Sequence, residues 1–218
     1  MFFTLVVLTL KTTAQDLPKG FVYVDELIPN IALDLRYTSF NNFVGQPIEG
    51  YQKARCILSL KATEALKKAQ ISLNKKDLGL LIYDSYRPQQ AVNHFMRWAK
   101  NTNDTLMKQH YYPGVKKKNL FKEQYIATRS GHSRGSTIDV TLINLKTGIV
   151  LDMGSPFDFF GPESWVSNRN LTAIQIANRQ LLQSTMKQFN FRNYPKEWWH
   201  FTLCWEPFPK TYFDFPVN

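Results

Sequence analysis

Cysteine is nearly absent from this chain: Cys56 and Cys204 are two among 218 residues. Two cysteines are too few for a disulfide-stapled scaffold or a cysteine-rich zinc module. They either pair with each other in an exported protein or stay as two free thiols in the apolar surroundings both possess. Histidine is also scarce, at four residues. Internal repeats, low-complexity tracts and clear linkers are lacking, so the length suits one compact domain better than two. Acidic residues number 17 against 27 basic ones, leaving a net charge of +10. Such an excess invites a nucleic-acid partner, because Lys and Arg release phosphate counterions. Here the charge is scattered, the densest run is only Lys116-Lys117-Lys118, and no nucleic-acid-binding motif occurs. The expectation is no nucleic-acid partner and a solvated basic surface suited to an anionic envelope.

Long apolar runs are missing too. The stretch from Phe2 to Leu10 is too short to span a bilayer as a helix, so no membrane span is expected. It matches the core of a secretion signal, with Thr12 and Ala14 preceding a cleavage point at Gln15. No basic residue precedes the run, and it is rich in strand-forming types, so a buried N-terminal strand in a cytoplasmic protein is the alternative. The reading adopted is a signal peptide over residues 1–14, a catalytic domain over 15–218, and export to the periplasm. Nothing in the sequence points to an oligomeric state.

Aromatic residues are plentiful, with five Trp, ten Tyr and sixteen Phe. They gather around the motifs below and predict a site walled by rings. Phe21–Val24 and Ile31–Tyr37 read as extended segments. An apolar stripe at helical spacing runs through Ala54, Ile57, Leu58, Ala62, Leu66 and Ala69, predicting a helix over about 53–72. Gly79–Tyr83 reads as a buried strand, and Pro88 suits the first turn of a helix running through Trp98. Ser136–Ile143 alternates as a strand. Leu171–Phe189 is the clearest helix, with Ile174, Ala177, Leu181 and Met186 as its stripe, and Trp199–Leu203 is a last strand. Strands and helices mix without regular alternation, which places the fold in the α+β class.

The four histidines differ in context. His94 in a predicted helix and His110 in a Tyr-rich loop have no carboxylate at ligand spacing, and read as structural or solvated. His132 lies in Ser130-Gly131-His132-Ser133-Arg134-Gly135-Ser136-Thr137-Ile138-Asp139. The two glycines bracket a tight turn, and Asp139 points to the opposite strand face from Ile138 and Val140. A carboxylate in a core strand is costly unless paired or bound to a metal. Lys196-Glu197-Trp198-Trp199-His200-Phe201 adds a second histidine, three residues after a carboxylate. His132, Asp139 and His200 make a three-ligand zinc set of catalytic type. Glu197 is then free to take a proton from the attacking water, with Trp198 and Trp199 expected to shelter the site.

Together these two segments resemble the D-alanyl-D-alanine dipeptidases, the group that includes the vancomycin-resistance dipeptidases. Asp34-Leu35-Arg36-Tyr37, Asn42-Phe43 with Gly45, Ala54-Arg55-Cys56, Tyr83-Asp84-Ser85-Tyr86-Arg87-Pro88 and the block Asp152–Asp158 match in the same order. The resemblance runs from about Phe21 to Phe208. It implies a single compact domain with a central antiparallel sheet flanked by helices, a fold shared with zinc carboxypeptidases and hedgehog-type domains. It implies one zinc on His132, Asp139 and His200, Glu197 as catalytic base, and Arg87 stabilising the tetrahedral intermediate. It assigns Ser130 and Asp158 to the substrate's free amino group, although Ser130 equally suits a turn-stabilising hydroxyl and Asp158 a turn cap. Thr137 stands where smaller residues are common in the family. The substrate implied is a small dipeptide, D-Ala-D-Ala or a close relative. A D,D-carboxypeptidase acting on longer cell-wall peptides is the alternative enzyme, and a binding module with structural zinc would need neither Glu197 nor Arg87.

The export reading predicts that mature protein from the native host begins at or near Gln15. N-terminal sequencing that finds Met1 intact on soluble cytoplasmic protein contradicts it.

Overall fold

The structure is a computed structural model, and it describes residues 17–218. The proposed signal peptide lies outside the described residues. Element order is β1 (Phe21–Tyr23), α1 (Val24–Leu27), β2 (Ala32–Leu33), β3 (Ile57–Ser59), α2 (Leu60–Asn74), β4 (Leu78–Asp84), α3 (Gln89–Lys100), α4 (Lys108–Tyr111), β5 (Thr137–Asn144), α5 (Ala173–Gln188), β6 (Phe191–Tyr194) and β7 (Glu197–Leu203). Five strands form the central sheet in the order β2-β4-β5-β7-β6, and β1 pairs with β3 as a separate ribbon. The class is α+β, as expected. The sheet is mixed rather than purely antiparallel, because the short edge strand β2 runs parallel to β4. The expected extended segment ends there, since Arg36–Thr38 turns into a 3₁₀ helix.

The helix expected from residue 53 begins only at Leu60. Cys56, Ile57 and Leu58 are wholly buried, and Ile57 pairs with Tyr23. Strand pairing therefore takes the β-branched residue, and the Ser59 side chain caps α2 by accepting from the Ala62 N–H. α5 is capped by a reciprocal Thr172–Gln175 box. Its buried face is rotated from the expected stripe: Ile174 is 70% exposed, whereas Leu182, Met186 and Arg179 are buried. Arg179 earns burial by donating to the carbonyls of Met153, Trp165 and Glu163 at 2.6–3.0 Å, which an apolar stripe does not register. β6 is a strand that the sequence reading does not anticipate, although Phe191 is buried and Arg192 exposed, as strand alternation requires.

Two further expectations need correction. Within the basic triplet, Lys117 is buried, with its ammonium 4.0 Å from the Trp98 ring centroid and donating to the Asp104 carbonyl. The cysteines are both free: Cys56 is buried and Cys204 exposed, so neither a pair nor two buried thiols forms. Burial pushes the Cys56 thiol up to about 12.

The chain from Phe208 onward returns across the β4–α3 turn. Phe213 N donates to Ser133 O, Tyr86 OH donates to Phe215 O, and the Tyr86 and Phe215 rings stack at 4.0 Å. Phe21 joins this aromatic cluster beside Gly135, which has φ +76. A Cβ on Gly135 would lie 2.1 Å from Phe21 Cε1. Gly135→Ala should therefore cost on the order of 2–5 kcal/mol, combining left-handed strain with overpacking. Gly114→Ala, with nothing within 4 Å of its new methyl, should stay within about 0.5 kcal/mol. Urea denaturation midpoints check both, and equal midpoints for the two variants contradict the account.

Candidate metal centre and active site

β5 and β7 pair so that Asp139 lies opposite His200. Strand alternation turns both side chains, with Thr137 and Thr202, to one face of the sheet. The Thr137 and Thr202 hydroxyls bond at 2.9 Å. The larger residue at Thr137 is accommodated by its neighbour: a Cβ on Gly131 would meet Thr137 Oγ1 at 2.8 Å. His132 arrives from the 3₁₀ turn Gly131–Arg134, with Ser130 Oγ as the cap accepting from the His132 N–H. The turn-stabilising role of Ser130 is therefore realised, and its residue also lines the cavity.

His132 Nε2 lies 3.3 Å from both Asp139 Oδ2 and His200 Nδ1, and His200 Nδ1 lies 3.1 Å from Asp139 Oδ1. His132, Asp139 and His200 thus form a group able to hold a metal ion, with ligand atoms all within 4.8 Å. Asp139 Oδ1 is buried and has no hydrogen-bond partner among the described residues, as suits an atom that a cation would satisfy. Burial alone would raise the Asp139 carboxyl, but His132 and His200 hold it well below the usual carboxylate range. Burial lowers His200 as well, yet Asp139 and Glu197 outweigh it and lift the imidazole to about 9. His132 Nδ1 is 2.6 Å from the Ser85 carbonyl. A carbonyl only accepts, so Nδ1 carries the proton and Nε2 is left free for a cation.

Glu197 opens β7 beside a register shift in the β6–β7 hairpin, and its Oε2 reaches 3.3 Å from His200 Nδ1. Arg87 follows β4. Its Nε donates to Asp84 Oδ2 at 2.9 Å, and Nη2 lies 2.8 Å from the same oxygen and 3.7 Å from Asp139 Oδ2. Asp158 is buried at φ +62, and its Oδ2 accepts from the Tyr37 hydroxyl at 2.8 Å. Burial, then the nearby Asp139 charge, pushes the Asp158 carboxyl well above its ordinary value. The predicted ligands, Glu197, Arg87, Ser130 and Asp158 all line one cavity of about 440 Å³. His94 and His110 stand outside it: His94 accepts from the Glu49 N–H, and His110 is exposed.

Residues 18–218 match the peptidase M15 family, described as D-Ala-D-Ala dipeptidase. The chain belongs to that family. A D-alanyl-D-alanine dipeptidase of Enterococcus faecalis is 41% identical over 199 residues, covering 91% of this chain and 98% of the relative. One from Streptomyces coelicolor is 42% identical over 197 residues, at 90% and 98% coverage. One from Escherichia coli is 33% identical over 180 residues, at 81% of each. As a member of the M15 family, the protein is a metallopeptidase.

Sequence reasoning missed Asp84 and misplaced the aromatic wall. Asp84 is buried, accepts from Tyr51 OH at 2.7 Å through Oδ1 and holds Arg87 through Oδ2. Its signal was an acid three residues before Arg87, within the matched Tyr83–Pro88 segment. Trp198 and Trp199 do not shelter this M15 site. Trp199 is buried against Phe157, and Trp198 lines a separate cavity with Tyr83 and Thr141. The walls are Tyr37, Phe43, Phe95, Tyr125, Phe160 and Tyr194, contributed by loops, the 3₁₀ turn Arg36–Thr38, α3 and the end of β6 rather than by β7.

The geometry predicts one metal ion per chain, lost in His132→Ala and in His200→Ala but kept in the exposed His110→Ala. Metal analysis of desalted protein checks this, and retention in both site variants contradicts it.

Proposed function

We propose that the protein is a zinc-dependent dipeptidase that hydrolyses D-alanyl-D-alanine. The observation that carries this reading is the convergence of His132 Nε2, Asp139 and His200 Nδ1 beside a non-ligand carboxylate, Glu197, in one cavity. Neighbouring ligand atoms of a tetrahedral zinc site, each about 2.0–2.1 Å from the ion, are about 3.3 Å apart. The separations here are 3.1 and 3.3 Å. Two imidazoles and one carboxylate are also a donor set that zinc favours. Bound zinc supplies a Lewis acid that polarises a carbonyl and makes water acidic enough to attack at neutral pH.

The chain's own residues divide the remaining work. Glu197 accepts the proton of the attacking water and returns it to the leaving amine. Arg87 faces negative charge developing on the carbonyl oxygen, and Asp84 fixes the guanidinium beforehand, so little reorganisation is needed during reaction. Asp158, with Tyr37 beside it, receives the substrate's ammonium, and Ser130 adds a polar contact at the cavity wall. Burial raises the Asp158 carboxyl above its ordinary value, and an incoming ammonium favours its ionised form. Such a counter-ion distinguishes a dipeptide from a longer peptide, whose corresponding nitrogen is an uncharged amide.

Removing one partner of a buried charge pair costs about 3–5 kcal/mol, or at least two orders of magnitude. D-Ala-D-Ala should therefore be cleaved with kcat/KM at least about a hundredfold above its N-acetylated form. Asp158→Asn should narrow that gap by weakening the free dipeptide. Glu197→Ala should keep the metal while lowering kcat roughly 10²–10⁴-fold. Steady-state kinetics of zinc-loaded protein decide, and comparable kcat/KM for free and acetylated dipeptide would favour the carboxypeptidase alternative.

A further inference from the structure

A free dipeptide carries an anion at its far end, and no residue assigned so far receives it. Three guanidinium groups line the catalytic cavity, those of Arg87, Arg129 and Arg134. Two are already neutralised. Arg87 is held by Asp84 and lies near Asp139. Arg134 donates from Nε and Nη2 to the two oxygens of Glu206, each at 2.8 Å. Arg129 makes no ion pair among the described residues; its guanidinium rests over the Tyr212 ring, 5.0 Å from the centroid.

Tyr212 is itself held in place. Its hydroxyl accepts from Arg134 Nη1 at 3.4 Å, and the Arg134 guanidinium lies 5.6 Å from the ring centroid. The Arg134–Glu206 pair thus positions an aromatic face, and that face orients Arg129, which immediately precedes the cavity-lining Ser130 and Gly131.

We propose that Arg129 is the receptor for the substrate's C-terminal carboxylate and therefore determines specificity for a free C-terminus. The acids of the cavity, Asp139, Asp158 and Glu197, repel a carboxylate, which leaves Arg129, the one lining arginine among the described residues without a carboxylate of its own. A guanidinium already supported on a ring loses little freedom on forming two parallel N–H···O bonds to that group. Arg129 is exposed at the cavity wall and contacts none of His132, Asp139, His200 or Glu197 in any hydrogen bond or ion pair among the described residues. It binds ground state and transition state alike, so its contribution falls on KM rather than kcat. The inference rests on the dipeptidase reading for its substrate, although a carboxypeptidase substrate presents the same terminal carboxylate.

The test compares D-Ala-D-Ala with D-alanyl-D-alaninamide on zinc-loaded protein. The wild type should prefer the acid by about tenfold or more in kcat/KM. Arg129→Gln should bring the two within about twofold through a raised KM for the acid, and Arg129→Lys should restore part of the preference because a point charge remains. An acid preference that is equal in wild type and Arg129→Gln, or absent from the wild type, overturns the proposal while the dipeptidase reading stands. Should the wild type cut neither compound, that reading fails, and the same comparison is made as Kd by calorimetry. Loss of acid preference in Arg129→Gln then supports the receptor, whereas equal Kd values, or no binding of either compound, overturn it.

Discussion

The site depends on a single buried carboxylate. Asp139 sits in a strand whose neighbours Ile138 and Val140 are fully buried, and its Oδ1, 3.1 Å from His200 Nδ1, makes no hydrogen bond among the described residues. Leaving an ionised oxygen in that condition is among the costliest things a fold can do. Three cationic or imidazole groups act to keep the charge: His132 and His200 approach it from a turn and from the paired strand, and Arg87 stands 3.7 Å away. A cation among these atoms resolves the unmet demand of Oδ1, which is why the metal centre and the sheet core are one construction.

Around that charge the fold provides rigidity by hydrogen bonds from elements distant in sequence. Asp84 links Tyr51, Arg87 and the end of β4, and the adjacent Ser85 carbonyl sets the His132 tautomer. The returning C-terminal segment bonds to Ser133, Tyr86 and Gln89, so it braces both the Arg87 turn and the His132 turn from behind. Arg87 and His132 are therefore oriented before substrate arrives, the condition under which fixed charges stabilise a transition state effectively. The same segment carries Tyr212 to the cavity mouth, where Arg129 rests on it.

Much of this was legible in the chain because the chemistry is local. Ser130–Asp139 and Lys196–Phe201 each hold their functional side chains within ten residues, and strand alternation alone separates Asp139 from Ile138 and Val140. What escaped was non-local. Asp84 looks like one acid among seventeen until Tyr51 and Arg87 are folded against it. Ile57 continued an apolar stripe at helical spacing, and only its pairing with Tyr23 shows that it is a strand residue. Trp198 and Trp199 adjoin His200 in sequence, but they lie away from the cavity, and rings from other elements and loops supply its aromatic walls. The burial of Arg179 and Lys117 is not legible in the sequence, because burial of a cation depends on carbonyls and rings contributed from elsewhere.

The most direct test of the central claim is anomalous diffraction at the zinc edge from crystals grown with zinc. The account predicts one strong peak per chain within about 2.0–2.2 Å of His132 Nε2, an Asp139 carboxylate oxygen and His200 Nδ1. A peak elsewhere, or one that lacks any of these three ligands, would contradict it.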